Sequence, residues 1–299
     1  MAKKQQAAAN QAADPAAAPH ELPATGAATA SASAAAAANG QKPPIAVQMY
    51  TLRSLKTAPA ELLEQIAAIG YSGVELAGTF APGMPPADLR KLIDAAGLQV
   101  VSGHFSLPDL EADLLGVIRA QKILGNDTLI IPWVSEDMRG KTAESWKALG
   151  ARVARLAKRA QLAGLRLMYH NHDFEMVVID GKPAIDWLME GAAAVAGETE
   201  VGYEIDLAWV QHGGQDPVAL LDRYAGRAWR VHAKDLARDP AASPEEKGLA
   251  TVGEGKLDWD TILPAAKAAG VEWYVVEHDF PADPLASIRS SYEFLAARV

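Results

Sequence analysis

From Ile45 onward the chain repeats one pattern of apolar and polar positions. A short apolar run is followed by a polar loop, then by a segment whose apolar residues recur with helical period, then in most cases by a glycine. The runs predict strands over Ile45–Met49, Gly73–Leu76, Gln99–Ser102, Thr128–Ile131, Arg166–Tyr169, Glu200–Ile205, Ala228–Val231 and Trp273–Val276. The periodic segments predict helices over Ala58–Ile69, Pro86–Ala96, Leu107–Leu124, Thr142–Ala163, Ala184–Val195, Pro217–Tyr224 and Trp259–Ala269, with a last one near Leu285–Ala297. Gly70, Gly97, Gly125, Gly164, Gly197, Gly226 and Gly270 stand at the helix-to-strand joints, where a left-handed C-cap suits a residue without Cβ.

Strands alternating with helices predict parallel βαβ units, and their uniformly apolar runs fit a sheet covered on both faces. Eight such units over about 255 residues match a closed (β/α)₈ barrel, whose usual size is about 250. The expected fold class is therefore α/β, a single barrel domain over residues 44–299. An open doubly wound sheet would usually carry a glycine-rich phosphate loop after its first strand. That position reads Tyr50-Thr51-Leu52-Arg53.

Residues 1–43 depart from the pattern. They are rich in Ala, Gln, Asn, Ser, Thr and Pro and almost without large apolar side chains, so they cannot bury enough surface to offset the entropy of ordering. The expectation is a disordered Ala-rich tail on a cytoplasmic protein. An export signal is the rival reading. Lys3 and Lys4 would be its charged region, but a Leu- or Val-rich core and an Arg pair are missing.

Composition narrows the chemistry. The chain has 299 residues, 49% hydrophobic, enough for one large core. No apolar run approaches the roughly 18 residues of a membrane span, so no membrane partner is expected. Cysteine is absent, which excludes disulfides, thiolate catalysis and zinc–thiolate sites. A formal charge of −9 argues against a nucleic-acid partner. Homo-oligomerisation stays open.

Active sites of such barrels form at the C-terminal strand ends. There the chain places Gln48, Tyr50 and Arg53 after strand 1, Glu75 in strand 2, His104 after strand 3 and Pro132-Trp133 after strand 4. His170-Asn171-His172 follow strand 5, Asp206 strand 6, His232-Ala233-Lys234-Asp235 strand 7 and Glu277-His278-Asp279 strand 8. Singly, each has a plain reading: a hydrogen-bonded histidine, a paired acid, or, for Lys234-Asp235, a surface ion pair of little worth. Together they concentrate acids and imidazoles at one end, where burial without a metal or mutual pairing is costly. A His/Asp/His/Glu set suits Mn²⁺, Co²⁺, Zn²⁺, Mg²⁺ or Fe²⁺, Mn²⁺ being the expected ion. Open positions on such an ion would take oxygens of a hydroxy-carbonyl substrate.

The motifs Ala46-Val47-Gln48-Met49-Tyr50-Thr51-Leu52-Arg53, Gly70-Tyr71-Ser72-Gly73-Val74-Glu75-Leu76, Tyr169-His170-Asn171-His172-Asp173-Phe174-Glu175, Ile205-Asp206, Val231-His232-Ala233-Lys234-Asp235, Val252-Gly253-Glu254-Gly255 with Asp258-Trp259, and Val276-Glu277-His278-Asp279 carry a resemblance. Over about Ile45 to Phe294 the chain resembles the sugar phosphate isomerase/epimerase superfamily, the xylose isomerase-like TIM barrels. The resemblance implies one divalent metal held by residues of strands 5 to 8. Carried over by position, three ligands are Asp206, His232 and Glu277. The usual strand-5 Glu-Asn-His reads His170-Asn171-His172, so His170 is the expected fourth ligand, with His172 or Glu175 as alternatives. Glu75, His104 and Lys234 resemble substrate-contacting positions. Glu277, Glu175 and His172 are the acid–base candidates.

The implied function is a metal-dependent sugar isomerase or epimerase that moves a proton next to a carbonyl through an enediolate. Elimination, as in inosose dehydratase or 3-keto-glycoside chemistry, is the alternative within the superfamily. A non-catalytic sugar-binding barrel and an abasic-site endonuclease are the rivals from other classes. The expected partner is a small carbohydrate.

Overall fold

The computed structural model describes residues 45–78, 80–195 and 200–299. The expected tail over residues 1–43 and the joint at Gly197 lie outside the described residues. Eight parallel strands close into a barrel in chain order: β1 (Ile45–Gln48), β2 (Gly73–Leu76), β3 (Gln99–His104), β4 (Thr128–Ile131), β5 (Arg166–His170), β6 (Val201–Asp206), β7 (Ala228–Ala233) and β8 (Trp273–Val276). Helices α1 (Pro59–Ile69), α2 (Pro86–Ala95), α3 (Leu107–Leu124), α4 (Ala143–Leu162), α5 (Ala184–Ala193), α6 (Leu207–His212), α7 (Pro217–Arg223), α8 (Trp259–Ala269) and α9 (Pro284–Ala296) surround it. The joints at Gly70, Gly97, Gly125, Gly164, Gly226 and Gly270 all have positive φ, as C-cap glycines do.

Three features were not expected from the pattern. Strands β3, β5, β6 and β7 run on through His104, His170, Asp206 and Ala233, so the polar residues expected just past the strands lie on the ladder itself. Helix α6 follows β6 at once, opened by the Asp206 side chain, which accepts from the Trp209 amide at 2.9 Å. Two short hairpins, Val178–Ile179 with Lys182–Pro183 and Asp235–Leu236 with Leu249–Ala250, decorate the loops after β5 and β7. Runs this short carry no periodicity to read.

The pleat sorts the side chains into two populations. One parity faces the helices: Val47, Val74, Leu129, Leu167, Tyr169, Tyr203, Ile205, Val231 and Tyr274 join the main core beneath them. The other parity faces the lumen. Its lower layer is apolar, with Ala46, Val101, Trp273 and Val275 in one cluster. Arg230, 2% exposed, crosses the lumen there and donates to the Val101 carbonyl at 2.5 Å. Above it the lumen becomes polar. Two register shifts set this layer. Val101 is an extra residue opposite Val74/Glu75, and Trp229 is one opposite Tyr203/Glu204. Such bulges re-aim the side chains that follow, here Ser102 and His104 on β3 and Arg230 and His232 on β7.

Candidate active site

The polar layer is built from i,i+2 pairs that share the inward parity: Glu204 and Asp206 on β6, Arg230 and His232 on β7, with Lys234 following, and Glu277 and Asp279 following β8. Register brings His170 beside Glu204 and Asp206 beside His232. Glu75, Glu204, Asp206, His232 and Lys234 are fully buried, and His170 is 2% exposed.

Two knots of charge result. In the first, Glu75 Oε1 stands 2.9 Å from His104 Nε2 and 2.7 Å from His232 Nε2. Glu204 Oε2 stands 3.1 Å from each of His104 Nε2, His170 Nδ1 and His232 Nε2. Gln48 donates to Glu75 Oε1 at 2.6 Å, and Ser102 donates to the other Glu75 oxygen. In the second knot, the Lys234 ammonium lies 2.9 Å from Asp206 Oδ2, 2.8 Å from Glu277 Oε2 and 3.0 Å from Asp279 Oδ2. His232 joins the two, its Nδ1 2.8 Å from Glu277 Oε2.

Burial sets the protonation against mutual pairing. Burial alone raises Glu75 and Glu204, but the adjoining imidazoles outweigh it, holding Glu75 well below its usual range and Glu204 at about 2. Burial lowers His104, yet Glu75 and Glu204 push it up to about 9. Burial likewise opposes charge on His232 and Lys234, and their carboxylates more than reverse it. Burial raises Asp206 to about 6 against the pull of Lys234. His170 is lowered by burial and then by His232. His172 is lowered to about 3 by burial and then by Lys234, so it is neutral at ordinary pH.

Part of this polar layer borders a cavity of about 1010 Å³ at the C-terminal end of the barrel. His104, His170, His172, Glu277 and Asp279 reach it. Its walls are aromatic, with Tyr50, Phe80, Phe105, Trp133, Trp209 and Phe280. The His172 ring is held parallel to Phe174 at 5.9 Å and against Trp209 at 5.5 Å.

The structure brings together Glu75, His104, His170, Asp206, His232, Lys234 and Glu277, and it puts His172 on the cavity wall. It does not bring Glu175 to the cluster. Glu175 accepts from the Tyr169 hydroxyl at 2.7 Å and from the His172 amide at 2.8 Å. Tyr169 has the opposite parity to His170, so this carboxyl lies behind the strand. The surface ion pair considered for Lys234-Asp235 is also absent, since both are fully buried. Asp235 instead accepts from the Gly253 amide at 3.0 Å, the Leu257 amide at 3.0 Å and Trp259 Nε1 at 2.8 Å, tying down the Val252–Trp259 loop. Sequence reading passed over Glu204 and Arg230 as functional positions, and it gave Asp279 no role beyond its place after strand 8. The signal was available as charge at i,i+2 spacing within apolar strands.

The donor set fits a divalent ion. His104, His170, Glu204 and His232 offer ligand atoms all within 4.8 Å of one another, and so do Asp206, His232 and Glu277. Glu204 Oε1 is a buried carboxylate oxygen with no hydrogen-bond partner. Imidazole with carboxylate is the donor chemistry of first-row transition ions.

The sequence matches the profile of the family described as xylose isomerase-like TIM barrel over residues 63–298. The chain belongs to this family. The rhizopine catabolism protein MocC of Rhizobium meliloti is 30% identical over 270 residues, 79% of this chain and 80% of that protein. An inosose dehydratase of Lacticaseibacillus casei is 26% identical over 249 residues, 73% of this chain and 80% of that protein. A sugar phosphate isomerase/epimerase structure from Parabacteroides distasonis superposes with a TM-score of 0.73 at 20% identity, covering 86% of this chain and 94% of that one. The family barrel expected from the motifs is thereby shown. Among the described residues no helix is long and apolar enough to cross a membrane.

Proposed function

We propose that this protein is a metal-assisted lyase that removes water from a keto-polyol ring after taking the proton next to its carbonyl. The observation that carries the reading is the cavity lining. A neutral imidazole, His172, and a carboxylate, Glu277, both reach the aromatic-walled cavity, and the Lys234 ammonium is buried behind Glu277 at 2.8 Å. The family's inosose dehydratases, similar along most of this chain, support elimination over simple isomerisation.

Phe80, Trp133, Trp209 and Phe280 give apolar faces against which the C–H side of a sugar or cyclitol ring packs. Glu277 and Asp279, which reach the cavity, accept from ring hydroxyls and fix the carbonyl end toward the floor. When bound in the cluster, with His170 and His232 among its ligands, a divalent ion supplies Lewis-acid polarisation of that carbonyl. His172 takes the neighbouring proton on its neutral imidazole. Protonated His172 passes that proton to the departing β-hydroxyl, so that it leaves as water, while Glu277, kept ionised against its burial by Lys234 and His232, accepts a hydrogen bond from that hydroxyl and holds it in place. The ammonium of Lys234, buried behind Asp206 and Glu277, adds positive potential toward the charge that develops on oxygen.

Incubation with 2-keto-myo-inositol in D₂O tests this. The expected result is deuterium at the carbon beside the carbonyl and loss of one water in the product mass. His172→Gln should lower the exchange rate by about 10²–10⁴-fold, the usual worth of a general base. Exchange without loss of water would assign isomerase or epimerase chemistry instead. Absence of both exchange and turnover across a panel of keto-sugars and 3-keto-glycosides would sink the enzyme reading.

A further inference from the structure

We propose that the divalent ion of this chain sits one layer deeper than the strand-end set. Its ligands would be His104, His170, Glu204 and His232, while the Lys234 ammonium fills the slot between Asp206 and Glu277. The placement rests on the metal-assisted reading above and specifies it.

The first observation is the occupant of the expected slot. Asp206 Oδ2 and Glu277 Oε2, two of the strand-end ligand atoms, are already 2.9 Å and 2.8 Å from Lys234 Nζ. An ion bonded to the same two oxygens would face a buried ammonium across them. Two positive centres that close, away from water, repel strongly. The ammonium already balances these acids.

The second observation is convergence. One oxygen, Glu204 Oε2, has three imidazole nitrogens at 3.1 Å, from three different strands. The other oxygen of the same carboxylate is buried and has no hydrogen bond; Asp206 Oδ2 at the strand end also has none, but it has the Lys234 ammonium at 2.9 Å. Three imidazoles and a carboxylate around one point make a transition-ion donor set, poorly matched to Mg²⁺.

The third observation is how His232 is turned. Its Nε2 points into the deeper set, 2.7 Å from Glu75 Oε1 and 3.1 Å from Glu204 Oε2, while its Nδ1 is 2.8 Å from Glu277 Oε2. A ligating histidine typically gives its other ring nitrogen to a carboxylate, which fixes tautomer and orientation. Glu277 is then the orienting acid behind His232, not a ligand. On the far side Gln48 approaches His104 Nδ1 at 3.2 Å and so orients a second ligand. The sequence agrees. Strand β5 carries His170 where the usual family pattern has a glutamate, and β6 carries an additional carboxylate, Glu204, two residues before Asp206 on the same face.

The test uses the full chain, stripped with chelator and titrated with Co²⁺ against a competing chelator, without substrate. Wild type should bind one Co²⁺ with visible d–d absorption. Glu204→Gln and His104→Gln should each weaken it by about 100-fold or more, whereas Asp206→Asn should change it less than about tenfold. X-ray absorption of Zn²⁺-loaded wild type should show three imidazole scatterers, a reading that needs no variant to fold. The strand-end set supplies two. Loss of Co²⁺ from Asp206→Asn with retention in Glu204→Gln, or two imidazoles on zinc, would overturn the placement. Wild type that binds no Co²⁺ overturns it as well. The exchange experiment above decides the reaction separately, because it reads the substrate and not the ion.

Discussion

Replacing Glu175 by Gln isolates one buried proton. Burial raises this carboxyl to about 8 from an ordinary 4.5, against the donors Tyr169 and the His172 amide. Since the folded state titrates higher than the unfolded one, folding holds a proton between those two values. The stabilisation is fully present below pH ~4.5 and is lost as the pH rises through about 8. At ~1.4 kcal/mol per pH unit, the whole window is worth roughly 5 kcal/mol as an upper bound. Glutamine mimics the protonated acid: its carbonyl accepts from the His172 amide and its amide faces the Tyr169 hydroxyl. Urea unfolding at a series of pH values reads the difference between the two proteins. Near pH 4 they should be about equally stable. Glu175→Gln should gain steadily on wild type toward pH 8, by on the order of 1 kcal/mol per unit. Other titrating groups are shared and cancel in the difference. Parallel stability curves across this range would refute the claim that Glu175 folds as a neutral acid.

Two more outcomes follow from the packing. Helices α4 and α5 touch through glycines, a Cβ at Gly150 falling 1.8 Å from the Leu188 carbonyl oxygen and one at Gly191 falling 2.1 Å from that of Lys147. Gly150→Ala should therefore cost on the order of 1–3 kcal/mol or more, seen as a lowered Tm in thermal melts, and an unchanged Tm would contradict the close crossing. Lys234→Met removes the ammonium shared by Asp206, Glu277 and Asp279, leaving Glu277 only His232, and should cost about 3–5 kcal/mol in urea unfolding at neutral pH. That deficit should shrink as the pH falls and the carboxyls take up protons, and a deficit that grew toward low pH would count against the ammonium's place among them.

The sequence by itself determined the repeating unit and most of its bounds. Strand β4 and helix α3 agree with the pattern to the residue, because hydrophobic period and glycine joints are local signals. It also determined which residues end the strands, and His170, Asp206, His232, Lys234 and Glu277 do meet at one end of the barrel. Which of them meet which was left to tertiary structure, since register and parity are long-range quantities. A shift of one residue at Trp229 sets His232 beside Asp206, and parity alone sends Glu175 behind its strand while Glu204, hidden in an apolar run, turns to the centre of the imidazoles. Lys234 and Asp235 show the same division. Adjacent in the chain, they part by the pleat, one to the carboxylates of the cavity floor and the other to the loop amides outside.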